Sequence, residues 1–420
     1  MPDTKGGQFV RQANYRKWDG IMMKKSMMKK LTGFATIAAT AMIFAGCSTA
    51  STTGSGNKQT GNTIKIGVNM ELSGAAGGYG NQQKQGIQMA VDEINDAGGI
   101  NVNGKKKKID LIIKDNKTAT STSASVAAQL ANNDKVSAII GPATTNAGTA
   151  QTPNITKAAV PGLSPSATDP DYTLQKNGKV QPYVFRACYQ NNFQGGTVAK
   201  FTYNNLRARR VAILGDNSTD YGTGLAKAFK NHFKGKIVAH QTFAAGDKDF
   251  NAVLTSFKSK KADAIFVPGY YSEVGLIIKQ ARQAGINVPI VGTDGMADPQ
   301  LVKIAGAKNA TNVYYTTPFS TMASKKNPTA AKFMKAYQAK YHQVAPTFSA
   351  LAYDSVNMVK QAIENEKSAD SKKVAAGLAK IKNFDGVTGT ITIDKDHNAQ
   401  KPIAIETLKN GKVVNSVSIK

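Results

Sequence analysis

From Thr63 the chain repeats one phrase: a short apolar run, a loop of small polar residues, then a longer stretch with a single apolar stripe. Ile64-Lys65-Ile66-Gly67-Val68-Asn69-Met70 alternates apolar and polar positions and predicts a strand. Between Tyr79 and Ala97, Ile87, Ala90, Val91 and Ile94 recur at i, i+3, i+4 and i+7, the stripe of an amphipathic helix, and Gly98-Gly99 ends it. The pattern then predicts strands at 109–115 and 136–140 and helices at 121–132 and 146–158. Further on it predicts strands at 211–214, 237–243, 262–267 and 288–291, alternating with helices at 221–233, 250–260 and 273–284.

Strands alternating with helices of this length imply parallel sheets covered by helices on both faces. The chain has 420 residues and about a dozen such units, too many for one compact sheet. The expected fold class is therefore α/β, with two doubly wound parallel-sheet lobes joined by a hinge of several crossovers. The first crossover is expected near Ala187, after Tyr183-Val184-Phe185-Arg186. Helical patterns at 329–341 and 350–365 return to the first lobe, and short strands follow from Val387. The expected division is 63–187 with 319–395 for the N-terminal lobe, and 188–318 with 396–420 for the C-terminal lobe.

The first sixty residues read as an address. Leu31 to Gly46 is uncharged, follows Lys24, Lys25, Lys29 and Lys30, and ends in small residues, the order of a secretory signal. It is shorter than the roughly 20 residues that cross a bilayer. Residues 1–46 are read as a signal peptide and 47–62, rich in Ser, Thr, Gly and Asn, as a flexible tether. A signal's basic region should open the chain, so residues 1–26 are read as a misassigned start, with Met27-Met28-Lys29-Lys30 the natural one and Met22 or Met23 the other candidates. The mature protein would then lack Trp18, the chain's single tryptophan.

Charge adds a second constraint. The chain carries 54 Lys+Arg against 27 Asp+Glu, a net charge of +27. Residues 1–30 hold eight basic and two acidic side chains, so about +21 remains on the rest. Nucleic-acid binding would show basic stripes interleaved with aromatics. Instead lysines scatter over polar helix faces, apart from Lys105-Lys106-Lys107-Lys108 in an expected hairpin, so no nucleic-acid partner is expected. An anionic cell envelope is the alternative partner for such a surface. Of the two cysteines, Cys47 directly follows the small residues that end the apolar run; were it modified, Cys188 would have no partner and no internal disulfide could form.

The enzyme classes lose their signatures. His232, His240, His342 and His397 form no metal-ligand spacing and are expected at the surface. There is no GxSxG elbow and no GxxxxGK[ST] phosphate loop, and the Gly74–Gly80 loop does not spell GxGxxG. Asp394–Gln400 lacks the Gly and closing Glu of a calcium loop. No cofactor or metal is expected, and no catalysis.

In open α/β sheets ligands sit beyond the C-terminal ends of the strands. Those positions hold Gly141-Pro142-Ala143-Thr144-Thr145-Asn146 and Ser164-Pro165-Ser166-Ala167-Thr168-Asp169 in the first half. Ser and Thr hydroxyls beside backbone N–H groups at helix starts suit a carboxylate, although the same residues serve as ordinary helix caps. In the second half, Gly269-Tyr270-Tyr271 and Thr293-Asp294-Gly295 occupy the same topological place. Asp294 suits an ammonium group; its plain alternative is a turn residue before Gly295.

With these residues assembled, the chain resembles the substrate-binding proteins of branched-chain amino-acid ABC transporters, of the type I periplasmic binding-protein family. The resemblance runs from about Ile64 to the C-terminus, through IKIGVNMELSGAAGGYGNQQKQGIQMAVDEINDAGGI, VSAIIGPATT, PGLSPSATDP, VFRACYQNNFQGG, VAILGDNSTDYGTGLAKAF, DAIFVPGYYSEVGLIIKQARQAGI and VGTDGM. Phe44-Ala45-Gly46-Cys47 similarly resembles a bacterial lipobox, with Phe44 where Leu is preferred, which implies acylation at Cys47 and a membrane-anchored, extracytoplasmic lipoprotein. By resemblance, Thr144, Thr145, Ser166, Ala167 and Thr168 hold the ligand carboxylate and help with its ammonium. Asp294 takes the ammonium and Tyr270 closes over the ligand backbone. Tyr79, Ala143, Phe348 and Tyr221 border the side-chain pocket.

Two departures bear on the ligand. Such receptors often carry Glu where this chain has Asp294, and Tyr189-Gln190-Asn191-Asn192-Phe193 lacks an acidic residue often present there. The expected function is capture of an amino acid, branched-chain or similarly aliphatic, by lobe closure and its delivery to a membrane permease and ATPase. The alternative is a sensing receptor, or an importer component for an amide or other small polar metabolite.

Overall fold

A computed structural model describes residues 54–419. The signal peptide, the upstream start and Cys47 lie outside the described residues. The first lobe runs β1 (Thr63–Met70), α1 (Gly77–Asp96), β2 (Ile100–Val102), β3 (Lys105–Asp115), α2 (Thr120–Ala128), β4 (Ala138–Ile140), α3 (Thr145–Ala158), β5 (Gly162–Ser164) and β6 (Val184–Arg186). The second runs α4 (Asn191–Asn204), β7 (Arg210–Asp216), α5 (Asp220–His232), β8 (Lys236–Phe243), α6 (Asn251–Ser259), β9 (Ala264–Phe266), α7 (Tyr271–Gln283), β10 (Ile290–Gly292), α8 (Pro299–Ala305) and β11 (Val313–Thr317). The chain continues through α9 (Pro328–Tyr341), α10 (Thr347–Glu366), α11 (Ser371–Ala379), β12 (Phe384–Gly386), β13 (Gly389–Ile393) and β14 (Ala399–Gln400). It closes with β15 (Ile403–Lys409) and β16 (Lys412–Ile419).

Two sheets result. The first has the order β2-β3-β1-β4-β5-β6, parallel except for the β2–β3 hairpin that carries the lysine run around Asn103-Gly104. The second is β16-β15-β11-β10-β9-β7-β8, with a parallel centre and the antiparallel β15–β16 hairpin along one edge. A small sheet, β12-β13-β14, precedes that hairpin. The chain passes between the large sheets after β6, after β11 and between β14 and β15.

β1 departs from what its alternation suggests. It is the interior of its sheet, and the polar position at Asn69 is taken in rather than exposed. Asn69 is fully buried, donates to Ser123 O (3.1 Å) and Gln151 Oε1 (3.1 Å), and accepts from Asn116 Nδ2 (3.2 Å). A satisfied amide costs little inside a core, whereas an unsatisfied one is expensive. α1 lies against α10 so closely that a Cβ on Gly86 would stand 2.0 Å from Ser349 O. Only glycine permits that approach.

His397, expected at the surface, is buried: its ring stacks on Phe185 at 4.0 Å and its Nδ1 meets Val184 O at 3.1 Å. The stretch read as a flexible tether is also different where it is described. From Gly54 it lies on the first lobe, held by Asn57, whose side-chain amide donates to Ala131 O (2.8 Å) and Val136 O (3.0 Å).

Candidate ligand-binding site

The loops after β1, β4 and β5 in the first lobe and after β7, β9 and β10 in the second converge on one small cavity. Its walls are Tyr79, Ala143, Thr144, Thr145, Ser166, Tyr221, Tyr270, Asp294, Gly295 and Phe348. Nine of the eleven expected site residues therefore meet in one place, and Gly295 is the addition.

The two others do not line it. Ala167 packs into the first-lobe core, and its carbonyl accepts from Arg186 Nη1 at 2.9 Å. Thr168 is fully buried, and its hydroxyl is without a partner among the described residues.

Asp294 is the electrostatic centre. It is 2 % exposed and takes part in no ion pair among the described residues. Burial pushes its carboxyl from 3.8 up to about 6, while hydrogen bonds from Tyr221 and Gln194 hold it down. Tyr221 donates to Asp294 Oδ1 (2.8 Å), lies 2.7 Å from Thr293 Oγ1 and accepts from the Gly295 N–H (2.7 Å). The phenol has one proton, so with Asp294 as its acceptor Thr293 must donate. A buried carboxylate lacking a cation is costly, and an arriving ammonium relieves that cost.

The first-lobe donors are distributed differently from the expectation. Glu71, at the end of β1, is fully buried and accepts from the Ala143 N–H (2.8 Å), the Thr144 N–H (3.0 Å) and Thr144 Oγ1 (2.7 Å). Burial still raises its pKa against those hydrogen bonds. The donors assigned to a ligand carboxylate at Thr144 are thus already engaged. Thr145 Oγ1 accepts from the Asp169 N–H at 3.3 Å and keeps its own proton to give. Ser166 Oγ donates to Ala143 O (2.7 Å) and accepts from Gln83 Nε2 (2.6 Å). Glu71 was missed because it is flanked by core residues; its place immediately after a strand was the usable signal.

Aromatic rings form the remaining wall. Tyr79 meets Tyr270 edge-on at 5.4 Å and Phe348 at 4.6 Å, and Tyr221 stacks on Tyr270 at 5.2 Å. Tyr79 also fastens the lobes: its hydroxyl donates to Gly295 O (2.6 Å) and accepts from the Tyr271 N–H (3.1 Å). It is aimed there because Gly80, behind it, packs on Glu71, where a Cβ would stand 1.9 Å from the carbonyl oxygen. Gln82 Nε2 to Asp298 Oδ2 (2.8 Å) and Gly78 N–H to Tyr271 Oη (3.1 Å) also cross the cleft. Among the described residues no group of His, Cys, Asp and Glu is placed to hold a metal ion.

The family described as Periplasmic binding protein matches residues 63–412, which span both large sheets apart from the edge strand β16 and include every wall of the cavity. The chain belongs to that family. Its members are solute-binding proteins, and its fold is the type I periplasmic binding-protein fold. Among curated relatives, the Leu/Ile/Val-binding protein homolog 3 of Brucella melitensis is 32% identical over 356 residues, 84% of this chain and 93% of that one. Among solved structures, the branched-chain amino acid transporter substrate-binding protein LivJ of Streptococcus pneumoniae, in complex with isoleucine, is 45% identical with a TM-score of 0.80. That match covers 85% of this chain and 99% of that one. The leucine-binding protein LivK of Thermotoga maritima is 32% identical with a TM-score of 0.78, over the same shares. The cavity lies between the lobes, with walls drawn from both.

Proposed function

We propose that this periplasmic binding protein captures an amino acid with an aliphatic, branched-chain-like side chain by closing its lobes. It then presents the solute to the permease and ATPase of an ABC importer. The observation that carries the reading is Asp294, a buried carboxylate with no ion-pair partner among the described residues, set across a small cavity from hydroxyls and beside an aromatic wall. Asp294 takes the ligand ammonium. Thr145 donates to the ligand carboxylate, with Ser166 beside it. Tyr79, Tyr270 and Phe348 enclose the side chain, which is where burial of apolar area supplies affinity, roughly 25 cal/mol per Å².

The 45% identity to a protein solved with isoleucine, and the Leu/Ile/Val-binding relatives, support that ligand class. Closure follows from differential contact, because the ligand touches both lobes only when they are shut. The solute leaves unchanged, in keeping with a family of solute-binding proteins. We further propose that Cys47 carries the acyl chains that keep the protein at the outer face of the membrane; two chains suffice for stable anchoring.

Calorimetric titration of the protein against the twenty amino acids tests the first reading. Heat is expected with leucine, isoleucine or valine; no heat with any of the twenty defeats it. The anchor is tested by Cys47→Ser, which should release the protein from membranes washed in high salt, and continued retention there would argue for an uncleaved signal segment instead.

A further inference from the structure

The segment from Gly54 to Gly61 is built into the far end of the first lobe. Gly54 N–H donates to Lys157 O (2.9 Å), Asn57 N–H to Ser371 Oγ (2.8 Å), and Ser371 N–H returns a bond to Asn57 O (2.9 Å). Gln59 donates from Nε2 to Lys135 O (2.6 Å) and from its N–H to Asp370 Oδ1 (3.3 Å). Asn57, the pin of this strap, is 8 % exposed. The strap meets the first lobe where β1, β4 and β5 begin, at the opposite end from the loops that form the cavity.

This end of the lobe is strongly basic. Lys58, Lys135, Lys157, Lys372 and Lys373 are all exposed, and none takes part in an ion pair among the described residues. Lys58 is on the strap, Lys135 and Lys157 are its backbone partners, and Lys372 packs its stem beside Gly56. The opposing carboxylates are few. Asp370 is half-buried and accepts from Gln59, and Asp134 is half-buried and paired with Lys114 at 3.3 Å.

We propose that this lysine face docks on the anionic lipid headgroups of the membrane, holding the first lobe against the bilayer with the ligand cleft at its other end. Cys47 and Gly54 are seven residues apart, a reach of at most roughly 25 Å for a fully extended chain. An acyl chain at Cys47 therefore delivers this face, and no other part of the first lobe sooner, to the headgroups. The tether in this arrangement works as a short leash with a fixed exit point. Basic side chains near an anionic bilayer are attracted within about a Debye length, about 8 Å at physiological salt. The reach rests on acylation of Cys47; the affinity of the lysine face for anionic lipid does not.

The test is a lysine-acetylation footprint, read by mass spectrometry, of the full protein on vesicles of phosphatidylcholine with and without phosphatidylglycerol. On phosphatidylglycerol vesicles the five lysines should be protected severalfold, and protection should vanish in high salt. Lys248, Lys260 and Lys261, exposed on the second lobe, should label equally on both. Replacing Lys58, Lys135, Lys157 and Lys372 together by Gln should weaken sedimentation of the Cys47→Ser protein with phosphatidylglycerol vesicles, by about fivefold per lysine. Equal labelling of the five lysines on the two vesicle types, or equal protection of both lobes, overturns the proposal. Retention on phosphatidylcholine vesicles in high salt reports the acyl anchor alone, so loss of the anchor and loss of the lysine contact are read separately.

Discussion

Replacing Asp294 by Asn removes one charge while keeping the shape and the acceptor for Tyr221. Burial raises the carboxyl from 3.8 to about 6, so at neutral pH ionising it inside the ligand-free protein costs about 3 kcal/mol. The sign follows from proton binding. Between pH 4 and 6 the folded protein holds a proton that the unfolded chain has released, so stability is present below pH 4 and lost as pH rises through 6. The substituted amide carries no such cost. The ligand-free variant should therefore melt about 3–6 °C higher than the parent at pH 7, and the difference should disappear near pH 4. Binding should move the other way. Removing one partner of a buried ion pair costs about 3–5 kcal/mol, which is roughly two to nearly four orders of magnitude in Kd. In the parent, affinity should fall about tenfold per pH unit below about 6, because ammonium binding requires the ionised carboxylate. In the Asp294→Asn variant the profile should be flat. Calorimetry for affinity and scanning calorimetry for melting supply both readouts. Binding of leucine or isoleucine by this variant within tenfold of the parent, or no change in the parent between pH 7 and pH 5, refutes the assignment.

Other consequences concern the scaffold. Glu71→Ala strands two buried N–H groups and a hydroxyl, each worth about 1–3 kcal/mol, and should lower the melting temperature by several degrees; an unchanged melting curve would dismiss its capping role. Tyr79→Phe removes the hydroxyl that joins Gly295 and Tyr271 across the cleft, with little loss of core volume. It should weaken ligand about tenfold, mainly through faster release measured by stopped flow, and unaltered release would show that this bridge does not hold the lobes shut. Gly86→Ala should destabilise the fold by about 1–3 kcal/mol in urea despite alanine's better helix propensity, because its Cβ collides with Ser349 O. A more stable variant would mean that α1 and α10 can separate freely.

The elements were legible where local periodicity and punctuation agreed. The stripe at Ile87, Ala90, Val91 and Ile94 specifies its helix because one face alone is apolar, and Gly98-Gly99 can only interrupt it. α4 carried no such signal. α4 begins Asn-Asn-Phe-Gln-Gly-Gly, and its buried set includes Asn191, Gln194, Gly195 and Gly196, so small and polar residues form its inner face. Site positions were legible because strand ends in a parallel sheet point to one crevice. That rule drew attention to Asp294, Tyr270, Thr145 and Ser166 before their contacts were known.

By itself the sequence determined the α/β alternation, the division into two sheets and the strand-end residues, since these depend on spacing along the chain. Tertiary structure decided which of those residues keep free hydrogen-bonding capacity. Glu71 claims the donors at Ala143 and Thr144, Ala167 turns into the core, and Thr145 retains its proton. It also decided that Asn69 is buried and that Asn57 pins a segment whose composition reads as loose. Hydrogen bonds between residues seventy or more positions apart leave no local pattern, because each partner is set by the packing of elements the other never touches in sequence.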